Sequence, residues 1–177
     1  YFMEVNLMEI IRILKSDFEP IYNIMEEAFP ENERRSKEGQ LALFEDELYK
    51  IYADKEKTVF IAFWELSEYV FIEHFASLKS QRGTGIGGTF LKTFLEMIGK
   101  PAVLEVEPPI NEISKRRVMF YIRNGFKLNE YFYIQPPLGK DREELELKIM
   151  TYPNALSQGE FMVLKNEIYE KIYKLNI

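Results

Sequence analysis

The residues with the clearest capacity for chemistry lie in one stretch, Gln81-Arg82-Gly83-Thr84-Gly85-Ile86-Gly87-Gly88, which holds four of the chain's nine glycines. An apolar run with strand character, Val70 to Leu78, precedes it, and a run with helical spacing, Ile86 to Ile98, follows. A strand that breaks into a glycine loop and then opens a helix leaves several backbone N–H groups unpaired at the positive end of the helix dipole. Such a loop binds phosphate. Glycines at 83, 85 and 87 let an anion approach the backbone with no Cβ in the way, and they permit positive φ where the turn needs it. Upstream, Glu73 interrupts an otherwise apolar run, where burial would raise its pKa toward that of a useful base. It has a second reading as the partner of a buried cation. His74 is its neighbour, but successive strand residues face opposite sides, so at most one of the two faces a common cleft, and His74 reads as a structural histidine.

These residues need elements to hold them. Glu9 to Lys15 reads as a first strand, and Ser16 with Glu19 forms a capping-box pattern ahead of a helix bearing Phe18, Ile21, Met25 and Ala28. A charged loop, Glu31 to Lys37, precedes a second helix with Leu41, Phe44 and Leu48 on one face. Tyr49 to Asp54, Thr58 to Leu66 and Val70 to Leu78 are strand-like runs with short connections, hence an antiparallel meander. The helix after the glycine loop closes at Gly99 and Pro101, and Ala102 to Glu107 returns as a parallel strand. Ser114 to Asn124 reads as a helix capped by the serine and stopped by Gly125, followed by strands at Phe126 to Gln135 and Glu144 to Tyr152. Phe161, Leu164, Ile168, Ile172 and Leu175 mark a final helix. The fold class is therefore α/β (α+β): a single mixed, mostly antiparallel sheet of six to seven strands flanked by helices.

Gly83, Gly85 and Gly88 also satisfy G-x-G-x-x-G, with Glu105 about twenty residues on, so a dinucleotide-binding oxidoreductase is one alternative. Its context is wrong, because Lys79 to Arg82 intervene after the strand and the preceding strands form a meander rather than βαβ units. A P-loop fails because Thr89 stands where lysine is required. Read instead as Arg82-x-x-Gly85-x-Gly87, the stretch resembles the acyl-CoA signature of the GCN5-related N-acetyltransferase (GNAT) superfamily, [Gln/Arg]-x-x-Gly-x-[Gly/Ala], between a fourth strand and a third helix. Phe120-Tyr121-Ile122-Arg123-Asn124-Gly125-Phe126 is similar to that superfamily's aromatic-Tyr-x-x-x-Gly-Phe segment. Lys79, Ser114 and Arg117 depart from the common pattern, which often has proline, Asn and Ala there.

The resemblance implies an N-acetyltransferase that moves an acetyl group from acetyl-CoA to an amine, leaving CoA, with no metal. It places the CoA pyrophosphate against the amides of Arg82, Gly83, Thr84, Gly85, Ile86, Gly87 and Gly88. It places the pantetheine arm between the strands ending near Ser77 and Glu105, so that Ala76, Ser77 and Leu78 join the CoA site. It makes Tyr121 the acid that protonates the sulfur and Glu73 the candidate base. The acceptor site falls to Glu33 and Arg34 after the first helix and to Tyr131, Tyr133 and Gln135. A non-catalytic acyl-CoA sensor is the other alternative.

The resemblance covers residues 9–152. Residues 1–8 read as an N-terminal extension or vector-derived remnant, and 153–177 as a C-terminal helix packed on the domain, with a homodimer contact as its alternative role. A chain of 177 residues can bury a core without staples, in keeping with its lack of cysteine. One histidine excludes histidine-cluster metal sites. A net charge of −6 argues against a nucleic-acid coat, and no apolar run is long enough for a membrane helix, so a cytoplasmic protein acting on a small-molecule or peptide amine is expected.

Overall fold

The computed structural model describes residues 8–176. β1 (Ile10–Arg12), β2 (Tyr49–Asp54), β3 (Val59–Glu65) and β4 (Val70–Ser77) form the antiparallel meander. α3 (Ile86–Ile98) carries the chain from β4 to β5 (Ala102–Val106), which pairs with β4 in parallel. β7 (Leu145–Tyr152) then inserts between β5 and β6 (Lys127–Gln135), antiparallel to both. Among the described residues the sheet has seven strands in the order β1-β2-β3-β4-β5-β7-β6.

β3 shows why this sheet needs cover on both faces. Its residues Val59 to Trp64 are all buried, and they alternate between two cores. Phe60, Ala62 and Trp64 pack with α1 (Glu19–Ala28) and α5 (Gln158–Lys171) on one face, while Val59, Ile61 and Phe63 pack with α3 and α4 (Glu112–Arg123) on the other. A strand with a side-chain period of two can serve two helix layers only if both sets are apolar.

Several helix boundaries differ from the sequence expectation. Ser16 and Glu19 do not form a capping box: Lys15–Asp17 makes a 3-10 turn and α1 starts after Phe18 without a side-chain cap. Burial of Phe18, which is 1% exposed, fixes that entry instead. The second helix, α2 (Lys37–Ala42), passes into a 3-10 turn at Leu43–Glu45, and Leu48 lies beyond it. There the Asp46 carboxylate accepts from the Leu48 amide at 3.0 Å and turns the chain into β2. Asn111, not Ser114, caps α4; Ser114 sits at the third helical position, and its Oγ accepts in return from the Asn111 amide. Ser157 and Glu160 form a capping box on α5, which ends before Leu175. The reading of residues 1–8 falls, apart from Met8, outside the described residues. Among those, no helix is long and apolar enough to cross a membrane.

Candidate active site

The site begins where the sheet comes apart. β4 and β5 pair at only three positions, Val70↔Ala102, Phe71↔Val103 and Ile72↔Leu104, although both strands continue. At the next residue β4 bulges: Ala62 opposes His74 and Phe63 opposes Ile72, so Glu73 is the extra residue. The divergence opens a cleft of ≈ 980 Å³. It runs from the glycine loop, past Ala76, Ser77, Phe120 and Tyr121, to Glu105, Gln135 and Glu33.

At one end the backbone forms a cradle. A 3-10 turn, Lys79–Gln81, leads into Gly83 at φ +79° and Gly85 at φ +86°, the latter being the N-cap of α3. A Cβ at either glycine would meet nothing within 4 Å, so the requirement there is positive φ rather than room. The Thr84 hydroxyl donates to the Gln81 carbonyl at 2.6 Å and pins the loop. The amides of Gly83, Gly85, Gly87 and Gly88 have no acceptor among the described residues. Arg82, Arg123 and Asn124 line the same end of the cleft. Unpaired amides, a helix N-terminus and guanidinium groups suit a diphosphate. Leu78, Thr84 and Ile86 are not in the cleft wall: Leu78 and Ile86 pack toward the two cores, and Thr84 shapes the loop.

Tyr121 lies in the middle of the cleft wall. α4 presents it between Phe75, Phe120 and Phe126, and it is 8% exposed. Burial pushes its phenol up to about 12, against the opposing charge of Arg117. It is therefore protonated at neutral pH and able to donate.

Glu73 is held differently from the expectation. The bulge breaks the strict alternation, so Glu73 and His74 both line the cleft and approach each other, Glu73 Oε2 lying 3.5 Å from His74 Nδ1. Arg35 Nη1 stands 2.7 Å from the same oxygen, a buried ion pair, and Trp64 Nε1 donates to the other oxygen at 3.2 Å. Burial acts to raise the Glu73 pKa, but Arg35 and His74 together outweigh it and hold the carboxyl at about 2. The expected upward shift does not occur; the buried-cation reading describes this residue. His74 Nε2 donates to the Glu33 carbonyl at 2.8 Å, tying the loop after α1 to the sheet.

Glu105 has the environment expected of Glu73. Its carboxylate accepts from the hydroxyl of Tyr133, from Gln135 Nε2 at 2.7 Å and from the Tyr173 hydroxyl at 2.9 and 3.0 Å. Every one of these donors is neutral. Burial therefore prevails over the hydrogen bonds, the charge of Glu73 adds to it, and the Glu105 pKa rises to about 7.

The expected acceptor residues divide. Glu33 lines the cleft, with its pKa raised by burial and by Glu107. Arg34 turns away, donating to the Phe29 carbonyl and the Tyr22 hydroxyl. Tyr131 stacks on Phe161 and donates to the Leu156 carbonyl, outside the cleft wall, because the irregular pairing of β6 between Asn129 and Tyr133 turns it toward α5. Tyr133 reaches the site only through Glu105.

No family model matches the chain. A solved structure from Bacteroides thetaiotaomicron, assigned to the GNAT family of acetyltransferases, superposes with a TM-score of 0.87 at 28% identity, covering 96% of this chain and 100% of that one. The chain thus shares the fold of GNAT-family acetyltransferases and is similar to them in sequence. The Bacillus subtilis (strain 168) protein YjbC, also assigned as an acetyltransferase, is 27% identical over 155 residues, covering 86% of this chain and 80% of that protein. Naa50 of Arabidopsis thaliana, solved with the bisubstrate analogue CoA-Ac-MVNAL, shares the fold at a TM-score of 0.59 and 17% identity, over 85% of this chain and 99% of that one.

Within this GNAT fold, sequence reasoning missed three residues at the split. Glu105 carried a usable signal, since it interrupts the apolar β5 much as Glu73 interrupts β4. Arg35 was hidden in a charge run, where most side chains are solvated. Tyr173 carried no signal, because its position depends on how α5 docks.

Proposed function

We propose that the chain transfers an acetyl group from acetyl-CoA to the amine of a small-molecule or peptide acceptor by direct attack. The observation that carries this reading is the presence in one cleft of an amide cradle, an un-ionised buried tyrosine and a carboxyl group with a pKa near neutrality. Acetyl-CoA supplies the thioester carbonyl that the amine attacks and the thiolate that leaves. The amides of Gly83, Gly85, Gly87 and Gly88, with Arg82 and Arg123, anchor its diphosphate. The split between β4 and β5 admits its arm.

A lysine-like amine titrates near 10.4, so freeing its lone pair at neutral pH costs about 4 kcal/mol unless a base assists. Glu105 is that base in this reading: with a pKa near 7 it is substantially ionised at neutral pH and close to the optimum for accepting a proton. Glu73, held near 2, is too weak a base, and it instead fixes Arg35 and His74 at the bulge. Tyr121 holds a proton for the departing sulfur.

The test is thiol release from acetyl-CoA across a panel of amines. Tyr121→Phe is expected to lower turnover by about 10²-fold or more with CoA affinity nearly unchanged. Undiminished turnover removes Tyr121 from the mechanism. Acetyl-CoA binding with no thiol release to any amine makes the chain a sensor rather than an enzyme.

A further inference from the structure

Tyr173 lies just beyond α5, in a segment outside the 9–152 core that carries the superfamily resemblance, yet its hydroxyl reaches both carboxylate oxygens of Glu105 at 2.9 and 3.0 Å. We propose that Tyr173 is a positioning residue which keeps Glu105 ionised and aimed at the acceptor amine, so that the C-terminal segment is a working part of the active site. This rests on Glu105 being the base.

The donors around Glu105 are arranged asymmetrically. Tyr133 donates to Oε1 and Gln135 to Oε2, both from β6, while Tyr173 bridges the two oxygens from the opposite element. An ionised carboxylate offers roughly four acceptor positions, and only three donor hydrogens reach this one, the Tyr173 hydrogen being shared between its two oxygens. Beside it the Gln135 Oε1, in a side chain only 7% exposed, has no partner. Gln135 lines the cleft, so a buried acceptor and a partly filled carboxylate stand side by side there. A primary amine, with more than one N–H, satisfies both.

The arrangement also favours the charged form of Glu105. A protonated carboxyl needs an acceptor for its own hydrogen; in its present orientation Gln135 turns its NH₂, not its Oε1, toward Glu105 Oε2, and a tyrosine can accept only by giving up its own donation. Both tyrosines are held un-ionised, their pKa values pushed well above 10 by burial and by the Glu105 charge. The other groups around Glu105 are Glu73 on β4, whose charge opposes ionisation but is paired with Arg35 and His74, and Tyr169 on α5, whose hydroxyl is engaged by the Ile134 carbonyl. Tyr173 is thus the donor supplied from outside the sheet. Its own placement is built: Ile172 is 3% exposed, the Tyr173 amide donates to the Ile168 carbonyl, and Lys174 pairs with Asp46 at 3.1 Å while lying over the Trp64 ring.

The experiment uses the full chain labelled with [¹³Cδ]glutamate, titrated by NMR, with the Glu105 resonance identified by its loss in Glu105→Gln. In the unaltered chain the midpoint is expected at about 7. In Tyr173→Phe it should move to higher pH by about one unit, the size of one charged hydrogen bond. Tyr133→Phe, which removes a donor from the sheet side without touching the C-terminal segment, should move it the same way. The acid limb of kcat/KM for acetyl transfer to a responsive amine should follow. An unmoved midpoint in a folded Tyr173→Phe overturns the role of Tyr173 and leaves Glu105 as base. Full acetyl transfer by Glu105→Gln overturns the base itself.

Discussion

The Glu73 carboxylate has a guanidinium 2.7 Å away, whereas that of Glu105 meets only hydroxyls and an amide. One residue type on neighbouring strands therefore titrates far apart, and stability should report it. Glu105 is raised from 4.5 to about 7, so its favourable contribution is complete below about 4.5 and lost as pH rises through 7. Glu73 is lowered to about 2, so its contribution is present above about 4.5 and lost as pH falls toward 2. Urea unfolding between pH 5 and 8 should show stability falling with pH, by up to about 3 kcal/mol, and Glu105→Gln should flatten that slope. Acetyl transfer by the same variant should fall by roughly 10²-fold or more. The two roles could not be told apart from sequence, because an acidic residue in an apolar strand predicts burial but not its partner. Arg35 comes from a loop 38 positions before Glu73, and Tyr173 from a segment 68 positions after Glu105.

At the scale of elements, the strand-loop-helix unit was the most legible part of the chain. β4, the glycine loop and α3 could be read because a bounded apolar run, positive-φ glycines and 3.6-residue spacing leave local marks. Helix entries were less legible: at Ser16 burial of Phe18 decided the geometry, and at Ser114 two polar residues competed for one cap. Two substitutions separate the loop's backbone from its charge. A Cβ at Gly87 would sit 3.7 Å from the Phe75 ring, an ordinary contact, so Gly87→Glu should fold while its carboxylate repels the diphosphate. Calorimetry should show CoA affinity lost; retained affinity would put the cofactor elsewhere. Gly85→Ala has open space but must hold φ +86°, and thermal unfolding should reveal a loss of about 1–2 kcal/mol.

Across the whole molecule, α5 links stability to the site. Ile168 is fully buried against the α1 side of the sheet, and Ile168→Ala should cost about 2–5 kcal/mol in urea unfolding. Because the same helix delivers Tyr173, the variant should also shift the Glu105 midpoint upward, whereas a core change on α3 such as Phe94→Ala should lower stability and leave that midpoint in place. The strand order has a further consequence for biosynthesis. β7 lies between β5 and β6, so a chain emerging from the ribosome cannot join β6 to the sheet until residues through Tyr152 are available. The amide cradle, by contrast, is encoded before residue 90. Domains form progressively from the N-terminal side during synthesis. The anion-holding end of the cleft can therefore mature in a nascent chain that does not yet possess the surroundings of its proton-accepting carboxylate, and the last of those surroundings to be translated is Tyr173.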